Sequence, residues 1–397
     1  MGSPVRLRTR EEVGPRQVGV EFYGKGLRVG RERNVKKIVI SGDPLSRGTQ
    51  YGAKARKLIE KSIGSYQGHF LKSSGVTWKE ALRFSKTFLR RIKHFDETMA
   101  DEIRGIAKGS GRTFEEILVL NLRTEILHGL QQPGEGCTSL AVLPELTVGG
   151  KTLLAQNWDY LPWVAETMLL LQIDMREGPH VLTLVEAGQL ARMGMNSQGH
   201  GICNNFILCE HDGKKMDQGV PTTFIRRKAL SQEKYFDVLG TILHTPRSFS
   251  ANYLIATSEG KGDAINIEAT PEKVYLLFPE DGWITHSNHF KGAGPGEIGM
   301  MWRGVENSIY RDRRAGQLLP GGPRKIGVKD IITVLQDHFG YPRSICRHPD
   351  EKEAEKDRWR TNASVIMDLN SKTLWLAAGP PCQQKYHRYG FDHEEYW

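Results

Sequence analysis

Hydrophobic and polar positions follow two different periods along the chain, and the change falls near residue 137. Before that point, apolar residues recur at helical spacing over 46–70 and 77–95, after a short strand-like run at 37–42. A capping-box pattern that starts at Thr113 predicts a further helix with its stop at Gly129. The first third of the chain is therefore predicted to be mainly helical.

From residue 137 onward, short alternating runs are separated by turn residues, which is typical of antiparallel strands. Gly149 and Gly150 mark a tight hairpin. Helical stretches are predicted near 222–230, 307–319 and 328–339. The predicted strands are 137–143, 151–158, 168–173, 180–186, 201–208, 253–257, 264–268, 273–278, 363–368 and 372–377. This order predicts an α+β fold in which two sheets pack together and helices cover them.

Composition narrows the possible functions. The 397 residues are 39% hydrophobic, enough for a large core, and carry a formal net charge of +9. Ten lysines and arginines fall between Arg6 and Lys37 without a nucleic-acid-binding motif, which indicates a solvated arm or an arm that binds an anion. No apolar run approaches the roughly 18 residues of a membrane span. We expect a cytoplasmic protein with neither a membrane span nor a nucleic-acid partner.

The five cysteines are odd in number and widely spaced. This argues against a disulfide framework and against paired metal ligands of the C-x-x-C type. His286 and His289 are three positions apart, but no third ligand clusters with them, so they form a weak metal candidate. We expect no metal and no cofactor.

The dipeptide Gly136-Cys137 is the first candidate for chemistry. Glycine would let the preceding peptide adopt a strained turn in which the Cys137 thiol reaches the carbonyl of Gly136. If that bond broke, the new amine of Cys137 could act as the base for its own thiol. The simpler alternative is a turn before a small buried residue.

Partners for this cysteine follow from the hairpin and from one polar cluster. A turn at Gly149 and Gly150 would bring Asp159 back to the start of the first strand, where its carboxylate could hold the new amine. Asn288 could donate its amide to an oxyanion. Strand-end turn residues are the alternative for the aspartate. A papain-type arrangement with His286 or His289 is also conceivable, although Thr138 follows the cysteine where that family has tryptophan.

Taken together, these residues resemble the acyl-coenzyme A:6-aminopenicillanic-acid acyltransferase (isopenicillin N acyltransferase) family of N-terminal-nucleophile (Ntn) hydrolases. The resemblance is collinear from about Lys37 to near Leu376. Its motifs lie at 102–109, 120–125, 136–138, 156–159, 194–199, 286–289 and 341–347.

The resemblance implies a four-layer αββα sandwich and a precursor that cuts itself before Cys137. Residues 1–36 would be a basic extension, 37–136 a helical small chain, and 137–397 a β-rich large chain. The residues implied to be catalytic are Cys137, Asp159, Asn288, Arg347 and, from a looser likeness to bile-salt hydrolases, Asn205. Side chains expected to support the site or contact the substrate are Ser139, Asn157, Trp158, Tyr160 and His286.

The function implied is a self-processing cysteine amidohydrolase that cleaves a non-peptide or N-acyl amide through a thioester. The alternative is an acyltransferase that moves an acyl group, with acyl-coenzyme A as one donor, to an amine such as a penicillin nucleus. A non-catalytic binding protein on the same fold is the alternative from another class. The expected partners are a small-molecule amide, the two self-cleaved chains in association, and a second copy of the chain in a homo-oligomer.

Overall fold

A computed structural model describes residues 33–128, 136–214, 216, 218–293, 305–319, 321, 323–355 and 358–391. Most of the basic extension and the predicted helix stop at Gly129 lie outside these residues. Within them, two large sheets pack face to face and helices cover both outer faces. The α+β fold and its αββα layering are confirmed.

The larger sheet has the strand order β1-β4-β5-β6-β7-β8-β9-β10. All neighbouring strands in it are antiparallel except β1, which runs parallel to β4. The strands are β1 Lys36–Gly42, β4 Met168–Met175, β5 Val181–Glu186, β6 Met193–Asn196, β7 His200–Phe206, β8 Ala251–Thr257, β9 Asp263–Ala269 and β10 Val274–Leu277. The predicted strands therefore form one sheet, to which the helical third contributes one edge.

The smaller sheet is antiparallel and has the order β11-β2-β3-β12-β13-β14. Its strands are β2 Gly136–Val142, β3 Leu153–Tyr160, β11 Trp283–His286, β12 Arg360–Asp368, β13 Thr373–Ala377 and β14 His387–Tyr389. The hairpin between β2 and β3 turns through Gly149 and Gly150, which both have positive φ (80° and 63°). Its register places Gly136 opposite Asp159, so Asp159 lies at the start of the first strand, where the sequence predicted it.

Helices form the two outer layers. The helices that precede β8 in the chain pack on the larger sheet or on one another, and the two helices that follow β11 pack on the smaller sheet. The helices are α1 Pro44–Ser74, α2 Trp78–Lys86, α3 Leu89–Phe95, α4 Glu97–Ser110, α5 Phe114–Asn121, α6 Arg123–His128, α7 Thr222–Leu230, α8 Tyr235–His244, α9 Val305–Leu318 and α10 Val328–Leu335. None of these helices combines the length and apolar composition that a membrane crossing needs in the described part of the chain.

Two of the predicted helices are broken. The segment 77–95 divides into α2 and α3, and the helix that begins after Thr113 ends at Asn121 rather than continuing to Gly129. The Asn121 side chain donates to the carbonyl of Gly188 and accepts from the amide of Leu190. These contacts tie the end of α5 to the larger sheet, and periodicity along the helix alone does not reveal them.

Alternation along β2 assigns its side chains to two different layers. Cys137 and Ala141 belong to the core between the two sheets. Leu140 and Val142 pack into a second cluster with α9 and α10. Because successive strand residues face opposite sides, the two faces at the start of β2 hold different groups.

Candidate active site

Cys137 is the second residue of β2 and its side chain is completely buried between the sheets. It lies opposite Trp158 of β3, where the backbone N–H of Asp159 acts to lower the pKa of the thiol. Burial raises the pKa of the Cys137 thiol, and the nearby Asp159 charge adds to this. In the uncleaved chain, the sulfur is therefore protonated at neutral pH and needs a base before it can act as a nucleophile.

Gly136 is the first residue of β2, so the Gly136–Cys137 peptide lies in a strand and not in the strained turn that the sequence predicted. Its φ lies outside the left-handed region, so conformational freedom is not the reason for glycine here. A Cβ at this position would lie 3.2 Å from Asp159 Cβ, 3.3 Å from Asp159 Oδ2 and 3.6 Å from Arg347 Nη1. Two charged side chains approach the backbone closely, and only glycine leaves them that space.

Asp159 faces the outer side of the smaller sheet, opposite to the Cys137 thiol, because its register partner is Gly136. Its Oδ1 accepts a hydrogen bond of 2.7 Å from the hydroxyl of Thr361, and Oδ2 has no hydrogen-bond partner among the described residues. Burial raises the pKa of this carboxyl, whereas the charges of Arg311 and Arg347 oppose the rise. The carboxylate thus has an open acceptor oxygen beside the Gly136–Cys137 peptide.

Asn288 follows β11 and reaches the same peptide. The backbone N–H of Cys137 donates to Asn288 Oδ1 at 2.9 Å. The amide nitrogen of Asn288 points the other way and donates to the carbonyl of Phe206 at 2.8 Å. The structure therefore brings Asn288 to Cys137 with its oxygen facing the backbone nitrogen of Cys137, and donation to an oxyanion stays a prediction.

Arg311 of α9 is a central residue of the site that the sequence analysis missed. Its side chain is buried under β2 and makes hydrogen bonds to five groups. They are the Cys137 carbonyl at 2.6 Å, Thr138 Oγ1 at 2.8 Å, Ser287 Oγ at 2.9 Å, Asn288 Oδ1 at 2.8 Å and Asn307 Oδ1 at 3.0 Å.

The sequence carried only a weak signal for this arginine. Ser308, Arg311 and Ala315 are buried at helical spacing along α9, so Arg311 lies on the stripe that faces the sheet. In a segment as rich in charge as α9, however, an arginine is more often on the solvent side.

Ser139 and Asn205 lie on the same side of β2 as the Cys137 thiol. The Ser139 hydroxyl donates to Asn205 Oδ1 at 2.7 Å across the two sheets, and Asn205 Nδ2 contacts the carbonyl of His286 at 3.4 Å. Asn204 instead bonds to Arg226 and the carbonyl of Asn252. Adjacent asparagines therefore face opposite sides, and Asn205 is the one that faces the candidate site.

The aromatic residues of β3 line the inner side of the smaller sheet. Trp158 and Tyr160 stack with ring centroids 6.4 Å apart. The guanidinium of Arg192 lies 3.8 Å from the centre of the Trp158 ring. These contacts place both aromatic residues in the wall next to Cys137.

Asn157 supports the outer side instead. Its amide donates to the carbonyls of Leu335 and Ile345 at 2.8 and 2.9 Å. Asn157 thereby fixes the end of α10 and the segment before Arg347, and does not face the thiol.

His286 and His289 do not serve as a base for Cys137. His286 Nε2 lies 2.7 Å from Glu268 Oε1, and Nδ1 lies 2.8 Å from the carbonyl of Ser287. Both ring nitrogens are therefore engaged by groups other than the Cys137 thiol. His289 Nδ1 contacts Ser308. The papain-type alternative is not supported by this geometry.

Arg347 lies against the outer face of the Gly136 backbone, as its implied role requires. Its side chain is largely buried and packs over Trp359, with 5.3 Å from the guanidinium carbon to the ring centre. Burial lowers the pKa of Arg347 to about 10, still well above neutral pH. The backbone N–H of Arg347 donates to Thr361 Oγ1 at 2.9 Å, and that hydroxyl bonds Asp159.

A buried strand with a cysteine at its second position, inside an αββα sandwich, is the arrangement that the resemblance to Ntn hydrolases implies. The chain belongs to the acyl-coenzyme A:6-aminopenicillanic acid acyl-transferase family, whose model matches residues 147–383, more than half of its length. The resemblance found in the sequence is thus confirmed, and with it the class of Ntn hydrolase and acyltransferase enzymes. The matched region includes Asp159, Asn288 and Arg347, and begins ten residues after Cys137.

One relative is the acyl-coenzyme A:6-aminopenicillanic-acid-acyltransferase 40 kDa form of Emericella nidulans. It is 27% identical over 346 residues, which cover 87% of this chain and 92% of the relative. A mutant of conjugated bile acid hydrolase from Clostridium perfringens aligns with TM-score 0.42 and 12% identity, over 64% of this chain and 97% of that one. Penicillin V acylase from Agrobacterium tumefaciens aligns with TM-score 0.41 and 10% identity, over 61% and 83%.

Proposed function

We propose that the chain is a self-processing amidohydrolase whose N-terminal nucleophile is Cys137. One observation carries the proposal: at a single peptide bond, the thiol lies on one face of β2 while Asp159 and Asn288 offer acceptor oxygens to its nitrogen on the other. This arrangement suits an amine at Cys137, which would need acceptors for its hydrogens. In the intact peptide, the nitrogen has only one hydrogen to give.

Maturation begins with attack of the Cys137 sulfur on the carbonyl carbon of Gly136. The C–N bond breaks, a thioester forms between Gly136 and the sulfur, and the thiol proton passes to the released amine. Water then hydrolyses the thioester and leaves a carboxylate on Gly136 and a free thiol on Cys137. The cut gives two chains. The large chain is residues 137–397, and the small chain is residues 37–136 with the basic extension still attached before it.

Turnover uses the same sulfur on an external amide. The free amine of Cys137 takes the thiol proton, the sulfur attacks the acyl carbon, and the substrate amine leaves with a proton as the thioester forms. Asp159 and Asn288 hold the amine, and Arg311 holds Asn288 in place. Asn205 lies on the thiol side of the strand and is the second amide proposed to stabilise the oxyanion.

The acceptor for the acyl group decides between hydrolysis and acyl transfer. Water releases an acid, whereas an amine receives the acyl group. The Emericella nidulans relative is named as an acyltransferase, which supports acyl transfer as the second candidate function. We propose hydrolysis as the principal activity, with a small-molecule N-acyl amide as the substrate and the cytoplasm as the location.

A cavity of about 870 Å³ lies between α2, α6 and the segment after β7. Its lining includes the apolar residues Val76, Phe84 and Ile126, together with charged residues such as Glu80 and Lys214. Cys137, Asp159, Asn288 and Arg347 are not among its lining residues. We therefore do not assign it to the acyl group.

Intact-mass measurement of the purified protein tests maturation. We expect two polypeptides from the wild type, one of which starts at Cys137, and a single uncut chain from Cys137→Ala. Cys209→Ser is the matched control because Cys209 is also a buried thiol but lies in the segment after β7, bonded to Asp212 and Ser250. A single chain from the wild type would contradict the proposal and favour a binding protein, whereas cleavage in Cys137→Ala would show that Cys137 is not the nucleophile for maturation.

Product analysis separates the two activities. The matured protein is incubated with N-acyl amino acids, aryl amides and penicillins, with and without an acyl-coenzyme A. We expect free acid and amine without any thioester donor. An acyl product that forms only with the coenzyme thioester would reverse the order of the two candidates.

A further inference from the structure

Two cysteines and two histidines form a cluster that the proposed reaction does not use. His338 and His348 lie 3.1 Å apart through their Nε2 atoms, and the sulfurs of Cys346 and Cys382 lie 3.5 Å apart. His348 Nε2 lies 3.6 Å from Cys346 Sγ and 3.3 Å from Cys382 Sγ. All four ligand atoms lie within 4.8 Å of one another.

These separations match the edges of a metal-centred tetrahedron. With Zn–S bonds of about 2.3 Å and Zn–N bonds of about 2.05 Å, tetrahedral geometry puts two sulfurs about 3.8 Å apart and two nitrogens about 3.3 Å apart. A sulfur and a nitrogen would be about 3.6 Å apart. The four separations given above are at most about 0.3 Å shorter than these values, and the separations from His338 to the two sulfurs do not exceed 4.8 Å.

The surroundings hold the ligands in place. Cys346 and His348 are buried, and His338 and Cys382 are partly buried. The backbone N–H of Cys346 donates to the carbonyl of Asp337 at 3.0 Å, and that of His348 donates to the carbonyl of Pro342 at 2.9 Å. The loop from α10 to β12 thus folds back on itself and brings three of the ligands together, while Cys382 comes from the segment after β13.

We propose that His338, Cys346, His348 and Cys382 bind one zinc ion. Two thiolates and two imidazoles in a closed tetrahedron are the donor set that structural zinc sites use, and softer sulfur donors select against magnesium and calcium. At 3.5 Å, the two sulfurs are not joined, since a disulfide bond is about 2.05 Å long. No position is left for a substrate, so the ion has a structural role.

The ion would act on the candidate active site through Arg347, which stands between the ligands Cys346 and His348. Fixing both neighbours fixes the Arg347 backbone, whose N–H donates to Thr361 Oγ1, while the same hydroxyl donates to Asp159. The Arg347 guanidinium lies against Gly136. Arg347 is thus the residue positioned by the metal, and this part of the inference rests on the proposed function.

Metal analysis of the full-length protein tests the site. Wild type, Cys137→Ala, Cys209→Ser and the double variant Cys346→Ser/Cys382→Ser are dialysed against zinc and then against metal-free buffer. Inductively coupled plasma mass spectrometry then gives the zinc content per chain. We expect one equivalent in the first three proteins and none in the double variant. Cys137→Ala should stay uncut whether or not the wild type matures. Its zinc content therefore tests the metal site independently of the proposed function.

Cobalt substitution supplies a readout that does not depend on the folding of the double variant. Co²⁺ bound to two thiolates in Cys137→Ala should give sulfur-to-cobalt charge-transfer bands and the intense visible bands of a tetrahedral ion. Absence of these bands, a wild type without zinc, or an unchanged zinc content in the double variant would overturn the proposal. So would a Cys346–Cys382 disulfide found by peptide mapping in freshly purified protein.

A further measurement tests the link to Arg347. If the ion positions this residue, the wild type expressed under zinc depletion should mature several-fold more slowly than the zinc-loaded wild type. Added zinc should restore the rate. Equal rates in both forms would leave no role for the ion in positioning Arg347 and would overturn that part of the inference.

Discussion

Gly136 lies next to the charged side chains of Asp159 and Arg347. The small space that they leave limits which residue can occupy position 136. A methyl group at residue 136 would come within 3.3 Å of Asp159 Oδ2, tighter than ordinary contact. Gly136→Ala should therefore push the Asp159 carboxylate away from the Gly136–Cys137 peptide. We expect maturation to slow by about 10-fold, which is the effect of about 1.4 kcal/mol on the barrier.

The fraction of uncut chain, followed by mass spectrometry after synthesis, measures this effect. Gly64→Ala is a control because Gly64 lies on the exposed side of α1 with open space around its Cα. Maturation of Gly136→Ala at the wild-type rate would show that Asp159 does not need its present position.

Arg311 connects the carbonyl of Cys137 to Asn288, so its loss should affect the reaction more than the fold. Arg311→Lys keeps the charge but cannot reproduce the fork that bonds several acceptors at once. We expect maturation and turnover to fall by about 10- to 100-fold, the equivalent of one charged hydrogen bond of roughly 1.5–3 kcal/mol.

The matched control is Arg313→Lys, since Arg313 lies two positions further along α9 and is exposed. Urea unfolding of both variants distinguishes a lost contact from a lost fold. If Arg311→Lys matures and turns over like the control, the guanidinium has no part in holding Asn288.

Residues of the candidate site differ in how far the sequence could predict them. Cys137 and Asp159 are joined by one hairpin, so a turn predicted at Gly149 and Gly150 was enough to bring them close to each other. Asn288 required the resemblance to a family, because β11 reaches β2 from far along the chain. Arg311 and the cluster around Cys346 depend on how α9 and a loop pack on the sheet, and no local pattern encodes that packing.

At the scale of elements, α1 and α4 cross through glycines on both helices. A Cβ on Gly48 would lie 2.1 Å from the carbonyl oxygen of Glu102, and one on Gly105 would lie 2.3 Å from that of Leu45. The two backbones are therefore in direct contact, which a side chain at either glycine would prevent. The sequence predicted α1 from its periodicity but not this close crossing.

Gly105→Ala should accordingly destabilise the protein by about 1–3 kcal/mol or more, because the helices must move apart. The same substitution at Gly68, which has no atom within 4 Å of the added methyl, should stabilise it by about 0.5–1 kcal/mol through helix propensity. Chemical denaturation of both variants in a Cys137→Ala background, where cleavage does not interfere, measures the two effects. Equal effects at the two positions would contradict the close crossing.

At the scale of the whole molecule, a cut before Cys137 would divide one core between two chains. β1 of the small chain pairs with β4 of the large chain along its full length, from Lys36 with Leu169 to Gly42 with Met175. Arg123 of α6 forms a buried ion pair with Glu186 of β5 at 2.8 Å. Neither chain can keep these strands and charges covered alone, so we expect the two chains to remain associated after maturation.

Association of this kind changes how stability depends on concentration. Unfolding of the uncut Cys137→Ala precursor releases one molecule, so its denaturation midpoint should not change with protein concentration. Unfolding of the cleaved wild type releases two, and mass action should raise its midpoint as the concentration increases. Size-exclusion chromatography should meanwhile show both forms at the same elution volume, because the cleaved chains stay together under native conditions. Chains that elute separately, or a cleaved form whose midpoint is independent of concentration, would show that the two segments do not share the core in the way that β1 and Arg123 indicate.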